Sequence, residues 1–170
     1  NKKGYCYLTS PMTLDAFYQL SKTFGALINK QNVSIRQDGE KGFLRSDALD
    51  FHTDRGLPDI VAWLCVRNDQ EGGESRLIDC SDLQIVFSRK EMKQLQKIVI
   101  LFPHGHRRIE TPLVQKIPYS RQYRLCYHPW ERVKLYEPET LKPVYNKFMK
   151  YLSHKIKHEQ IIIKLKQKYG

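Results

Sequence analysis

Short apolar segments alternate with turn-forming residues from Phe51 to the end of the chain, and this rhythm limits the fold more than any other feature. Ile60–Val66 is a continuous apolar run, and the polar stretch Asn68–Gly73 breaks it. Extended texture resumes at Arg76–Ile78, Ile98–Phe102, Pro112–Ile117, Tyr123–Tyr127 and Gln160–Leu165. Brief runs of β-branched and aromatic residues bounded by Gly, Pro, Asn and Asp read as strands. Tyr5–Leu8 adds one more near the start. Helical signals are fewer and lie mostly toward the ends. Thr13 is placed to cap a helix carrying Leu14, Phe17, Tyr18 and Phe24 and ending at Gly25. Ser88 with Glu91 forms a capping box ahead of a short helix bearing Met92 and Leu95. A third helix starts near Thr140, tolerates Pro143 in its first turn, and aligns Leu141, Val144, Tyr145, Phe148, Leu152 and Ile156 on one face. The pattern predicts a mainly β architecture, a double-stranded β-helix (the cupin-like jelly roll) with flanking helices. At 170 residues the chain is read as one domain, 1–170.

Bulk properties exclude several classes. A hydrophobic share of 41% with 28% charged residues belongs to an ordinary globular protein, and no apolar stretch has the length needed to span a bilayer. Cys6, Cys65, Cys80 and Cys126 lack the close pairing of a zinc site or disulfide framework, which fits a reducing cytoplasm. The net charge of +11 is uneven: from Leu141 to Gly170 eight lysines face the single acid Glu159. Such a surface attracts anions. Without a recognition motif or interleaved stacking aromatics, nucleic acid is not the expected partner, and most of these lysines are read as a solvated face. Oligomeric state is not encoded in any visible pattern.

The tripeptide His52-Thr53-Asp54 carries the chemistry. Strand side chains alternate, so a histidine and a carboxylate two residues apart share a face. An imidazole nitrogen and a carboxylate oxygen converging on one point are two thirds of the facial triad of non-haem iron(II) oxygenases.

The surrounding residues make this specific. Asp50-Phe51-His52-Thr53-Asp54-Arg55-Gly56-Leu57-Pro58-Asp59, then Ile60–Arg67, then Glu71-Gly72-Gly73-Glu74-Ser75-Arg76-Leu77-Ile78-Asp79 together resemble the taurine dioxygenase and clavaminate synthase-like group. These are iron(II)- and 2-oxoglutarate-dependent oxygenases. Gly4–Leu8, the helix around Phe17, and Thr111–Val114 followed by Tyr123–Tyr127 are similar to further parts of the same pattern. The resemblance spans most of the chain, and its specific portion runs from His52 to Ser75.

It implies His52 and Asp54 as the first two Fe(II) ligands. It also places Ser75 where many members have a Thr whose hydroxyl bonds the 2-oxoglutarate carboxylate, a donor that serine retains. The implied reaction consumes dioxygen and 2-oxoglutarate, releases succinate and carbon dioxide, and hydroxylates or desaturates a small molecule, with an anionic one suited to the charge. Related halogenases replace the carboxylate by a small residue, so Asp54 argues against halogenation. Polar residues 29–47, with Arg36, Arg45 and Asp47, are expected to cover or line the substrate pocket.

The sequence departs from the pattern late. The family's second histidine follows a Gly-Asp turn near the end of the barrel, with an arginine for the distal carboxylate after it, and neither has a counterpart before Gly170. Gln160–Leu165 reads as a barrel strand that needs partners on both sides, so the chain is expected to be incomplete at its C-terminus. The start at Asn1 without Met points the same way. His104 and His106 are read as part of an exposed polar turn, His128 as structural beside Trp130, and His154 and His158 as solvent-facing. A non-catalytic jelly roll whose basic surface binds an anionic partner is the alternative. An oxygenase acting on nucleic acid is a third reading, marked by salt-dependent binding.

Overall fold

The computed structural model describes residues 5–8, 10–28, 30, 49–54, 59–66, 74–104, 107–120 and 122–164. Its elements in chain order are α1 (Leu14–Thr23), β1 (Glu74–Ile78), α2 (Leu83–Val86), α3 (Arg89–Leu95), β2 (Val99–His104), β3 (Arg107–Pro112), β4 (Val114–Lys116), β5 (Tyr123–Leu125), β6 (Arg132–Lys134), α4 (Pro138–His158) and β7 (Gln160–Lys164). The chain divides into two compact units, one of residues 1–50, 58–75 and 162–170, the other of residues 51–57 and 76–161.

In the first unit, α1 begins where the sequence says it must. The Thr13 hydroxyl accepts the Ala16 N–H at 3.2 Å, Asp15 sits in the first turn and Lys22 in the last, and Gly25 leaves the helix at φ 140°. Two expectations fail here. Tyr5–Leu8 is not a strand, and neither is Ile60–Val66: Ile60, Val61, Trp63 and Val66 are about half exposed or more. Apolar composition makes burial favourable but supplies no ladder, because a strand exists only where a partner takes its N–H and C=O groups.

The second unit holds the core. Leu83 and Phe87 from α2 and its C-cap, Met92 and Leu95 from α3, Ile98 just before β2 and Ile100 on it, Leu113 and Val114 at β4, and Cys126 meet Leu141, Val144, Phe148 and Leu152 of α4. Those four α4 residues are spaced three, four and four apart, which keeps them on one side of a 3.6-residue period. Phe148 is fully buried, and its ring lies 6.5 Å from Phe87 and 6.4 Å from both Tyr127 and Tyr151. The capping box forms as read: the Glu91 N–H donates to Ser88 Oγ at 3.3 Å and the Ser88 N–H to Glu91 Oε2 at 2.7 Å. The α4 helix starts two residues earlier than expected because Pro138, with φ already set, suits the first turn. Pro143 therefore falls inside the helix, where both it and Glu139 are exposed and water can take the carbonyl left without a donor.

The sheets are small, and three of the pairings are antiparallel: β2 lies between β3 and β6, and β4 pairs with β5; β1 pairs with β7 in a separate ribbon. The expected polar turn at residues 104–108 is mostly strand. Register runs from Val99↔Pro112 to His104↔Arg107, making a β2–β3 hairpin whose tip, including His106, lies outside the described residues. Sheets and helices are both present as expected, but no closed barrel forms among the described residues, and helix contributes at least as much as strand. Among them, too, no helix is long and apolar enough to cross a membrane. Cys6, Cys65, Cys80 and Cys126 form no disulfide.

Candidate functional site

Residues 51–54 are tied down through Thr53. The Thr53 N–H donates to the Tyr127 carbonyl at 2.8 Å, and the Tyr127 N–H donates to the Thr53 hydroxyl at 2.9 Å. Tyr127 lies two residues after the end of β5, so this clasp fixes the tripeptide against the end of a core hairpin. It is not a strand of a ladder, which corrects the expectation of a β-strand at His52–Asp54. The alternation argument nevertheless holds locally. Phe51 and Thr53 are half-buried while His52 and Asp54 are exposed, the period-two pattern that puts the imidazole and the carboxylate on the outward side.

An aromatic group surrounds His52. Its ring centre lies 5.0 Å from Trp130 and 6.1 Å from His128. His128 is buried, edge-on to Phe102 at 4.7 Å and to Trp130 at 5.7 Å. The separation of the two imidazoles bears on whether His128 completes a metal site. With a metal–nitrogen bond of ~2.1 Å, each ring centre sits ~3.2 Å from a shared ion, so two ligands on one face have centres ~4.5–5.2 Å apart. At 6.1 Å the rings would have to ligate from nearly opposite sides, so His128 as placed does not make a facial set with His52.

Beside His52 and Thr53 opens a cleft of about 480 Å³, lined also by Arg76, Gln84, Gln122 and Tyr127. Arg76 brings a cation to it and Tyr127 an aromatic wall. Neither was singled out from the sequence. Arg76 directly follows the Gly72-Gly73-Glu74-Ser75 block, and that adjacency was the available signal. Two thiols lie beside this region, Cys80 half-buried and Cys126 buried. Burial pushes Cys80 above the ordinary range despite a bond to Tyr151, and it pushes Cys126 up to about 11 although the Thr53 hydroxyl works against it. Thiols held protonated in this way act as small hydrophobes rather than nucleophiles.

A charged network lies next to Cys80 in the same unit. Lys155, 7% exposed, reaches Asp82 Oδ2 at 2.8 Å and Glu159 Oε2 at 2.7 Å, and Tyr151 donates to Asp82 Oδ1 at 2.5 Å. Burial opposes the ammonium, but the bonds to Asp82 and Glu159 outweigh it and hold Lys155 above the usual lysine range. For Asp82 the balance is the same in kind: burial raises its carboxyl, and Lys155 and Tyr151 carry it below the usual value.

The other residues expected at the site are dispersed or undescribed. Ser75 lies on β1 in the other unit, half-buried. His104 ends β2, while Arg36, Arg45 and Asp47 lie outside the described residues. His154 and His158 are exposed on α4, as read. Among the described residues, no three His, Cys, Asp or Glu side chains converge as a metal cage. His52 and Asp54 are donor types that a facial iron site uses, and among the described residues no third donor joins them. Comparison of the chain with family models, with curated proteins and with solved structures finds no match.

Proposed function

We propose that this chain is an iron(II)- and 2-oxoglutarate-dependent dioxygenase that hydroxylates or desaturates a small molecule. One observation carries the reading: His52 and Asp54 are the exposed members of an alternating stretch whose inward member, Thr53, is locked to the Tyr127 backbone. Site geometry of this kind requires ligands pre-positioned by bonds that are not themselves ligands. His52 would hold the metal through a neutral imidazole and Asp54 through an ionised carboxylate that offsets part of the metal charge. The bound metal and cosubstrate would supply oxidation of the substrate by dioxygen, with release of succinate and carbon dioxide.

The chain's own groups do the rest. Trp130, 5.0 Å from the His52 ring, restricts how far that ring turns. The cleft beside His52 lies within the size range of small-molecule sites, ~300–1,000 Å³. Arg76 in its lining favours an anionic substrate or cosubstrate. The role of Ser75 toward the 2-oxoglutarate carboxylate rests on the resemblance of the Gly72-Gly73-Glu74-Ser75 block alone. The jelly roll is part of the same proposal, supported by the mixed helices and antiparallel sheets and by the order of motifs. A cytoplasmic setting is proposed with it.

A second reading, a binding module for an anionic partner, is favoured by the exposed cations of α3 and α4: Arg89, Lys90, Lys93, Lys142, Lys150 and Lys157. The two readings separate cleanly. Isothermal titration with iron(II) and 2-oxoglutarate, in the absence of oxygen, should show cosubstrate binding that depends on the metal and vanishes in His52→Ala and Asp54→Ala. Binding unaffected by either change would leave only the module.

A further inference from the structure

His154 and His158 lie four residues apart in the last turns of α4, both exposed, with ring centres 4.8 Å apart and planes at 46°. Residues at i and i+4 stand one above the other on a helix, so this proximity follows from the 3.6-residue period. With each imidazole centre ~3.2 Å from a shared ion, rings 4.8 Å apart subtend an angle of about 100° at the metal, between square-planar and tetrahedral values. The same arithmetic that disfavours His52 with His128 therefore favours this pair.

A carboxylate is held in place beside them. Glu159 gives one oxygen, Oε2, to Lys155 at 2.7 Å, while Oε1 lies 3.5 Å from His154 Nδ1. That N···O separation is too long for a hydrogen bond, so the carboxylate stands beside the imidazole without occupying its nitrogen. Lys155 thus orients Glu159 as an outer partner orients a metal ligand. The negative end of the α4 dipole also favours a cation at this terminus. Opposing it is Lys157, exposed in the same turn, whereas Lys155 is already compensated by Asp82 and Glu159.

We propose that His154 and His158 form a surface chelate for a divalent transition metal, independent of the His52–Asp54 pair, with Glu159 as the adjacent carboxylate. Imidazole donors select zinc, nickel or copper over magnesium or calcium. The site is open, with two imidazoles and room for water, and differs from a closed three-donor cage. A bound ion bridges His154 and His158 across one turn, with Glu159 beside it, and so clamps the end of α4.

The full chain is titrated with zinc, nickel or copper alone and followed by amide NMR, with zinc read as shifts and the paramagnetic ions as broadening. Saturable micromolar binding centred on His154, His158 and Glu159 is expected. His154→Gln or His158→Gln weakens it at least tenfold, about 1.4 kcal/mol, and Glu159→Gln weakens it less. Both histidines are exposed, so the variants keep the fold, checked by circular dichroism. His52→Ala leaves this binding unchanged, which separates its fate from that of the oxygenase reading. Perturbation centred elsewhere, binding only at millimolar metal, or wild-type affinity in the histidine variants would overturn the proposal.

Discussion

Thr53 and Tyr127, seventy-four positions apart, are joined by three hydrogen bonds: the Thr53 N–H donates to the Tyr127 carbonyl at 2.8 Å, the Tyr127 N–H to the Thr53 hydroxyl at 2.9 Å, and the Thr53 hydroxyl to the Tyr127 carbonyl at 3.4 Å. Only the first of these survives in Thr53→Val, which keeps the shape and removes the hydroxyl. Loss of the hydroxyl's bonds destabilises the fold by ~1 kcal/mol. The larger expected effect is functional, because His52 and Asp54 lose part of the anchor between them. Iron(II) affinity measured anaerobically should fall several-fold in this variant while the chemical denaturation midpoint moves little.

Lys155 is the buried centre of a network that joins Asp82, ahead of α2, to α4. Lys155→Met keeps the apolar stem and deletes the charge, leaving Asp82 and Glu159 without their cation. Removing one partner of a fully buried pair costs ~3–5 kcal/mol, and the partial exposure of both carboxylates brings the expected loss to ~2 kcal/mol. Urea unfolding monitored by tryptophan fluorescence measures it. Lys155→Met/Asp82→Leu should recover part of the loss, since the stranded carboxylate goes with the lysine.

Phe148 touches the rings of Phe87, Tyr127 and Tyr151 from the middle of the α4 apolar face. Phe148→Ala opens a cavity at the contact of helix and sheet, with an expected cost of ~3–5 kcal/mol. Differential scanning calorimetry should show a lowered midpoint for the second unit's transition.

Acid should weaken the fold in a defined window. The Lys147 ammonium 2.8 Å away, together with the Ser88 N–H and hydroxyl, holds the Glu91 carboxyl at about 2, against an ordinary 4.5, and Asp82 is also held below its ordinary 3.8. A carboxyl depressed on folding contributes stability that is present above its unfolded value and lost as pH falls through the folded one. Stability should therefore decline from about pH 5 toward pH 2, and Glu91→Gln should flatten that decline. At the other end, Lys155 and Tyr151 are both raised, Tyr151 by burial and by its bond to Asp82, so their contribution is complete at neutral pH and fades above about pH 10.

Elements that state their own boundaries were legible. Thr13, Gly25 and the Ser88–Glu91 box mark helix ends through bonds to neighbours in sequence, and the spacing from Leu141 to Leu152 is visible without tertiary knowledge. Elements that depend on distant partners were not. Arg107–Pro112 is charged, with Ile109 about half exposed, and becomes a strand because β2 offers a ladder. The apolar run Ile60–Val66 shows the converse, hydrophobic enough for a strand yet without one. At the site, the shared exposure of His52 and Asp54 followed from alternation, but Tyr127, Trp130 and Arg76 reach it across long sequence distances that no local pattern announces.

The central claim is that His52 and Asp54 grip one ferrous ion. Anaerobic addition of iron(II) and 2-oxoglutarate, watched for the weak visible charge-transfer band of the ternary complex, tests it most directly. The account predicts a band in the wild-type chain that is lost in His52→Ala and in Asp54→Ala and retained in His158→Gln. A band of equal intensity in His52→Ala, or none in the wild-type chain at saturating iron and 2-oxoglutarate, would contradict it.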